Sequence, residues 1–165
     1  MEIERKFLVT KLPENLEAYE KKEIEQSYLP GEPRLRIRKA NDEYIMTYKS
    51  HKGLSDVLSH TKATVNNEIE VPLSKEVYET LLKIKDGNTI LKTRYLIPFG
   101  KYTIELDVFK GYLKGLIFAE VEFPTTEEAD LFEAPEWFMK DVTPDKRYTN
   151  GSLSKIDSLK ELTSK

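Results

Sequence analysis

Like charges alternate with apolar residues on one short stretch of this chain after another. The chain opens Met1-Glu2-Ile3-Glu4-Arg5-Lys6-Phe7. Side chains of a β-strand point to two faces in turn. Glu2, Glu4 and Lys6 then share one face, and Ile3 and Phe7 the other, with Arg5 between them. Arg34-Leu35-Arg36-Ile37-Arg38 sets three guanidinium groups opposite Leu35 and Ile37. Glu68/Glu70, Glu105/Asp107 and Glu120/Glu122 repeat the acidic version, and Lys92/Arg94 the basic one. An ordinary wet sheet face mixes Thr, Ser, Lys and Glu, which satisfies cross-strand pairs. Same-face neighbours lie roughly 6–7 Å apart, so repeated like charges cost stability unless a ligand neutralises them.

The rest of the chain supports a mainly β protein with some α. Leu12, Leu16 and Tyr19 suit a short helix or turn, and Lys22 to Leu29 a strand carrying Ile24, Gln26 and Tyr28 on one face. Pro30-Gly31-Glu32-Pro33 is a turn before the arginine strand, and Asn41-Asp42 a hairpin turn before Glu43 to Ser50, where Thr47 and Lys49 share a face. His51 to Asn67 is polar and poorly periodic and reads as a long loop or hairpin extension, with His51 and His60 solvated. Glu68 to Val71 is a strand. Ser74 caps a helix whose stripe is Val77, Leu81 and Ile84, and Asp86-Gly87-Asn88 stops it. Strands follow at Thr89 to Pro98, Tyr102 to Phe109 and Leu116 to Phe123. Thr125 and Glu128 have capping-box spacing and open a short helix. Ala134 to Asn150 is irregular, with Trp137 and Phe138 as packing residues. Gly151 to Leu162 suggests a terminal helix on Leu153, Ile156 and Leu159. No repeat or linker divides residues 1–165, so a single domain of about eight strands in antiparallel pairs is expected.

A closed barrel accommodates the pattern: charged faces inside, apolar faces outside under the helices. Its lumen has an acidic wall for divalent metal and a basic wall for a phosphate chain, which guanidinium groups grip bidentately. Burying so many charges without such ligands would be prohibitive. A linear triphosphate bridges both walls.

Composition narrows the chemistry. With 39% hydrophobic and 33% charged residues, the chain can bury a core. A net charge of −3 argues against nucleic acid as a partner. The absence of cysteine excludes disulfides, thiolate metal sites and a cysteine nucleophile, and two histidines make a histidine zinc site a poor fit. No signal peptide or membrane span is visible, so a cytoplasmic protein without a membrane partner, monomer or homodimer, is expected.

The motifs jointly resemble the triphosphate tunnel metalloenzymes, the CYTH superfamily, and within it small bacterial inorganic triphosphatases. Glu2 to Phe7 resembles the family's N-terminal E-x-E-x-K signature. Arg34 to Arg38, Lys49, Lys92 to Tyr95, Glu105 to Phe109 and Ala119 to Phe123 match its later strands in order, and Asp145 to Asn150 its tail motif. The resemblance implies an eight-stranded antiparallel tunnel, Mg²⁺ or Mn²⁺ as cofactor, and hydrolysis of inorganic tripolyphosphate to pyrophosphate and phosphate. It implies Glu2, Glu4, Glu68, Glu70, Glu105, Asp107, Glu120 and Glu122 as metal-binding candidates. Lys6, Arg34, Arg36, Arg38, Lys49, Lys92 and Arg94 would bind the triphosphate. Lys6, Tyr28, Arg36, Lys92 and Arg94 would form the catalytic set, Tyr28 touching Lys6. Two features depart from the pattern: the length of His51 to Asn67, and a third arginine, which places Arg38 at the tunnel mouth. Lys146 and Arg147 are candidates to close one end. The alternatives are a class IV-type adenylyl cyclase, a thiamine or nucleoside triphosphatase, and a non-catalytic polyphosphate-binding module.

Overall fold

The computed structural model describes residues 1–163. Strands β1 (Glu2–Val9), β2 (Glu20–Tyr28), β3 (Arg36–Ala40), β4 (Glu43–Ser50), β5 (Thr64–Pro72), β6 (Asp86–Phe99), β7 (Tyr102–Phe109) and β8 (Ile117–Glu122) lie in the order β5-β4-β3-β2-β6-β7-β8-β1. β1 pairs back with β5, so eight antiparallel strands close into a barrel. The closing seam is short: Glu2↔Asn66, Ile3↔Val65 and Glu4↔Thr64. Where β5 leaves that edge of β1, β9 (Phe138–Asp141) takes over, against Phe7, Leu8 and Val9.

The main core lies outside the barrel wall. Ile3, Phe7, Val65, Ile104, Leu106 and Val121, the residues that alternate with charge, pack in one cluster beneath Leu54, Ala129, Phe132, Trp137 and Phe138. Burying each large aliphatic side chain contributes about 1.5–3 kcal/mol. Leu54 and Leu58 come from the segment carrying α1 (Ser55–Leu58), and Ala129 from α3 (Thr126–Leu131). Thr125 caps α3 by accepting from the Glu128 amide. Arg5 shares the outer face because its charge is spent locally: Nη1 donates to the Ala129 and Phe132 carbonyls where α3 ends, and Nη2 donates to Asp141. A separate cluster packs Tyr78 of α2 (Lys75–Leu82) with Ile37 and Leu29, and the Ser74 cap of α2 accepts from the Val77 amide.

One end of the barrel is stoppered. The face that carries Glu120 and Glu122 continues as Phe118, and the face of Lys92 as Ile90. Both are fully buried against Leu153 of α4 (Asn150–Leu153), Val142 and Leu162. Gly87 (φ +86°) brings β6 against α4: a Cβ there would sit 2.5 Å from the Ser154 carbonyl, which accepts from the Asn88 amide.

Several expectations change in detail. Residues 51–67 are not a plain loop: they hold α1 and the first half of β5, whose Thr64 to Asn66 make the closure. Asp86 to Asn88 begin β6 instead of merely stopping a helix. The α2 stripe centres on Tyr78, while Val77 and Ile84 are exposed. The "irregular" 134–150 contains β9, and the terminal helix is two short ones, α4 and α5 (Lys160–Thr163). No helix among the described residues is long and apolar enough to cross a membrane.

Candidate active site

The charged faces meet in a lumen of two contiguous chambers. The inner one, about 260 Å³, is lined by the carboxylates of Glu2, Glu4, Glu68, Glu70, Glu105, Glu120 and Glu122 and by Arg36, Arg38, Lys49, Lys92 and Arg94. The outer one, about 330 Å³, is lined among others by Lys6, Tyr28, Arg34, His51 and Tyr148. Glu4, Arg36, Lys49 and Asn150 line both and form the waist between them. Strand alternation puts these side chains inward, and the register sets their partners: Glu105 lies opposite Glu120, and Lys49 opposite Glu68.

On the basic wall, Arg36 and Arg38 are only loosely engaged. Arg36 Nη2 donates to Thr47 Oγ1 at 3.2 Å, and Glu70 Oε1 stands 3.9 Å from Arg36 and 3.5 Å from Arg38. The Nε atoms of Arg34, Arg36 and Arg38 are buried without a partner. Unsatisfied buried donors are costly, and an anion in the lumen would supply the missing acceptors. Burial and the neighbouring Arg36 hold Arg38 below the usual arginine range.

On the acidic wall, burial pushes Glu2 up to about 9, helped by Glu4 and by a hydrogen bond with Glu68. Burial works against charge on Glu68, but the hydrogen bond with Glu2 and the nearby Lys49 outweigh it and shift Glu68 the opposite way. Glu122 is raised by burial and by Glu68 and Glu4. Lys49 reaches across to Glu2 at 2.8 Å and Glu68 at 3.3 Å. Burial opposes its charge, yet Glu4 and Glu2 hold its ammonium above the usual lysine range.

The deepest layer is an internal salt cluster. Asp107, 0% exposed, accepts from Lys92 Nζ at 2.6 Å, Arg94 Nε at 2.7 Å and Arg94 Nη2 at 2.8 Å. Arg94 also donates to Glu105 at 2.5 Å and to Glu120 at 3.0 Å. Burial opposes charge on Asp107, but Arg94 and Lys92 outweigh it and its pKa is lowered. Burial lowers Lys92 to about 8, although Asp107 works against it. Lys6 Nζ stands 3.1 Å from Glu120 and donates to the Tyr148 carbonyl.

Most expected residues therefore converge, with specific corrections. Asp107 does not line the lumen; both its oxygens are taken by cations, so it is a counter-ion hub and not an available metal ligand. Arg94 is inside but saturated by three carboxylates, and so is not a free phosphate clamp. Arg34 lies before β3 and lines the outer chamber, but its guanidinium is already engaged, donating to the Asp86 and Gly151 carbonyls. The ring of Tyr28 lies under Arg34, at 4.8 Å, while Lys6 lies over Phe118. Arg38 lines the inner chamber beside Glu70. His51 is an exposed loop residue, as expected, but it is anchored: Nδ1–H donates to the Val65 carbonyl and the residue lines the outer chamber. The end is closed by Tyr148 to Gly151, while Arg147 is held by Asp145. Thr47, Asn66 and Asn150 also line the lumen. Thr47 was detectable on the Lys49 face, and Asn150 within the tail motif.

Among the described residues, no three His, Cys, Asp or Glu side chains are drawn together as a metal set. Cations are interspersed among the carboxylates: Lys49 beside Glu2 and Glu68, and Arg94 beside Glu105, Asp107 and Glu120. The donor chemistry nevertheless fits a hard divalent cation: Glu2, Glu4, Glu68 and Glu122 burden one another with charge, and Glu2 Oε2 is buried without a partner.

Known proteins resemble this chain along nearly its whole length. An inorganic triphosphatase of Nitrosomonas europaea is 40% identical over 93% of this chain and 96% of its own length. One of Acetivibrio thermocellus is 33% identical over 93% of each. A crystal structure of an inorganic triphosphatase superposes with a TM-score of 0.68 at 34% identity, over 96% of this chain and 97% of that one. The CYTH domain model matches residues 1–150, from the signature strand through the Asn150 that enters the lumen, and the chain belongs to the CYTH domain family.

Proposed function

We propose that this chain hydrolyses inorganic tripolyphosphate to pyrophosphate and orthophosphate, with Mg²⁺ or Mn²⁺ held in the lumen. The observation that carries the reading is the pairing, in one lumen, of buried guanidinium donors lacking acceptors with buried carboxylate oxygen lacking a cation. The two triphosphatases related along nearly the whole chain support the same substrate.

Arg36 and Arg38 would grip the phosphate chain from β3, and Lys49 and Lys6 would meet it from opposite sides of the waist. Their fixed positive charge opposes the negative charge that gathers on the transferred group and the departing pyrophosphate. Arg94 and Lys92, tied to Asp107, keep Glu105 and Glu120 in place. Glu2, Glu4, Glu68 and Glu122 would hold the metal. Bound there, the metal would neutralise phosphate oxygens and lower the pKa of a bound water. Neither serine nor cysteine lines the lumen among the described residues, which favours direct attack by water over a covalent intermediate.

Purified protein should release phosphate and pyrophosphate from tripolyphosphate with Mg²⁺ or Mn²⁺, lose this activity in EDTA and regain it on metal addition. Its kcat/KM for tripolyphosphate should exceed those for ATP, GTP and thiamine triphosphate. Cyclic AMP and pyrophosphate from ATP, with tripolyphosphate inert, would overturn the reading.

A further inference from the structure

We infer that Lys49 is a built-in stand-in for the divalent cation. In the metal-free protein its ammonium fills the cation position between Glu2 and Glu68; metal displaces it, and the freed lysine turns to the phosphate chain. The inference rests on the metal site proposed above.

Its Nζ lies 2.8 Å from Glu2 Oε1 and 3.3 Å from Glu68 Oε2. These carboxylates come from adjacent strands at the closing seam, so Lys49 on β4 reaches across β5 to β1. The other Glu2 oxygen remains buried and unpartnered even with the lysine in place, so the position has coordination capacity that an ammonium does not use. The other lumen cations face other carboxylates: Lys92 and Arg94 are held by Asp107, Lys6 lies against Glu120, and Arg36 and Arg38 stand loosely beside Glu70. Lys49 alone among them has its ammonium between Glu2 and Glu68. It also lines both chambers, and its side chain is 30% exposed, so its head has somewhere to go. An ammonium on a flexible four-carbon stem can swing about a fixed Cα, unlike a forked guanidinium. A divalent cation and an ammonium cannot share this space without strong repulsion. The arriving metal therefore releases a positive charge at the waist, where the anion is held. Metal and phosphate then bind cooperatively through one side chain.

A single substitution should move two constants in opposite directions. Lys49→Met removes the competitor from the metal site and a cation from the anion site. Mn²⁺ affinity, measured by electron paramagnetic resonance in phosphate-free buffer, should tighten about five- to tenfold, while KM for tripolyphosphate at saturating Mn²⁺ should rise about tenfold or more. Lys49→Arg keeps the charge and should not tighten Mn²⁺ binding. In wild-type protein, independent of any variant's folding, Mg²⁺ alone should shift the ¹³Cε resonance of one lysine, a resonance missing from the Lys49→Arg spectrum. A brace that merely holds the carboxylates together predicts the reverse: unchanged or weaker Mn²⁺ binding in Lys49→Met, and no lysine shift. Either result overturns the inference while leaving the metal site standing. Failure of the wild-type protein to bind Mn²⁺ at all overturns both.

Discussion

Asp107→Asn separates a counter-ion hub from a metal ligand. The substitution preserves size and one acceptor oxygen but removes the charge that faces Lys92 and Arg94, which are 2% and 9% exposed. Breaking a buried ion pair by removing one partner costs about 3–5 kcal/mol. Arg94 retains Glu105 and Glu120 and the amide oxygen can still accept, so the lower end, about 3 kcal/mol, applies. In a domain of this size each kcal/mol moves Tm by about 2–4 °C, giving a drop of about 6–12 °C. Lys92, already lowered to about 8 by burial, should titrate lower still once Asp107 no longer supports its charge. Calorimetry of the metal-free proteins at pH 7 measures the stability, and Mn²⁺ titration of both proteins measures the site. The hub requires a large drop in Tm with Mn²⁺ affinity nearly intact. A Tm within about 2 °C of wild type together with Mn²⁺ binding weakened tenfold would refute it and restore Asp107 to the metal shell.

The two walls should fail differently. Arg36→Ala should raise KM for tripolyphosphate or lower kcat by the equivalent of about 1.5–3 kcal/mol for a lost charge-assisted contact, whereas Glu4→Gln should raise the metal concentration for half-maximal rate; identical metal profiles in the two variants would contradict the wall assignment. Glu2 predicts a pH effect on the metal-free protein. Its folded pKa of about 9 lies above the usual 4.5, so the folded state holds its proton more tightly than the unfolded chain. That contribution is full below pH 4.5 and is lost as pH rises toward 9. The slope is at most about 1.4 kcal/mol per pH unit, reduced by the opposite shift of Glu68. Thermal melts from pH 5.5 to 8 should therefore show wild-type Tm falling relative to Glu2→Gln, and parallel curves would refute the Glu2 shift.

The barrel could be read before it was seen because a period of two leaves no freedom: once Ile3, Leu106 and Val121 need a core, Glu2, Glu105 and Glu120 must face the other way. Depth along the lumen was not legible in the same way. Glu105 and Asp107 look equivalent on one strand. Only the register, which sets Arg94 opposite Asp107, buries the second and leaves the first at the chamber wall. Thr64 to Asn66 escaped notice because a strand that lines a polar lumen with Thr and Asn carries no run of charge and only one apolar outer residue, Val65. Likewise, Leu153, Ile156 and Leu159 share helical spacing, but Gly87 and Asn88 engage the backbone at Ser154 and Ile156 and divide the segment.

The strand that opens the chain finds every partner far downstream: residues 64–66, 118–122 and 138–141. Its β8 edge cannot form until residues 118–122 are available, so β1 cannot be fully docked before most of the barrel exists. Such distant pairing makes for slow folding. It also has an electrostatic benefit. If β1 docks onto an otherwise assembled wall, Glu2 and Glu4 lose their hydration only when Lys49 on β4 is already positioned to receive them. The step that desolvates the carboxylates is the step that closes the wall, so no compact intermediate has to carry an acidic strand in a dry, unneutralised interior.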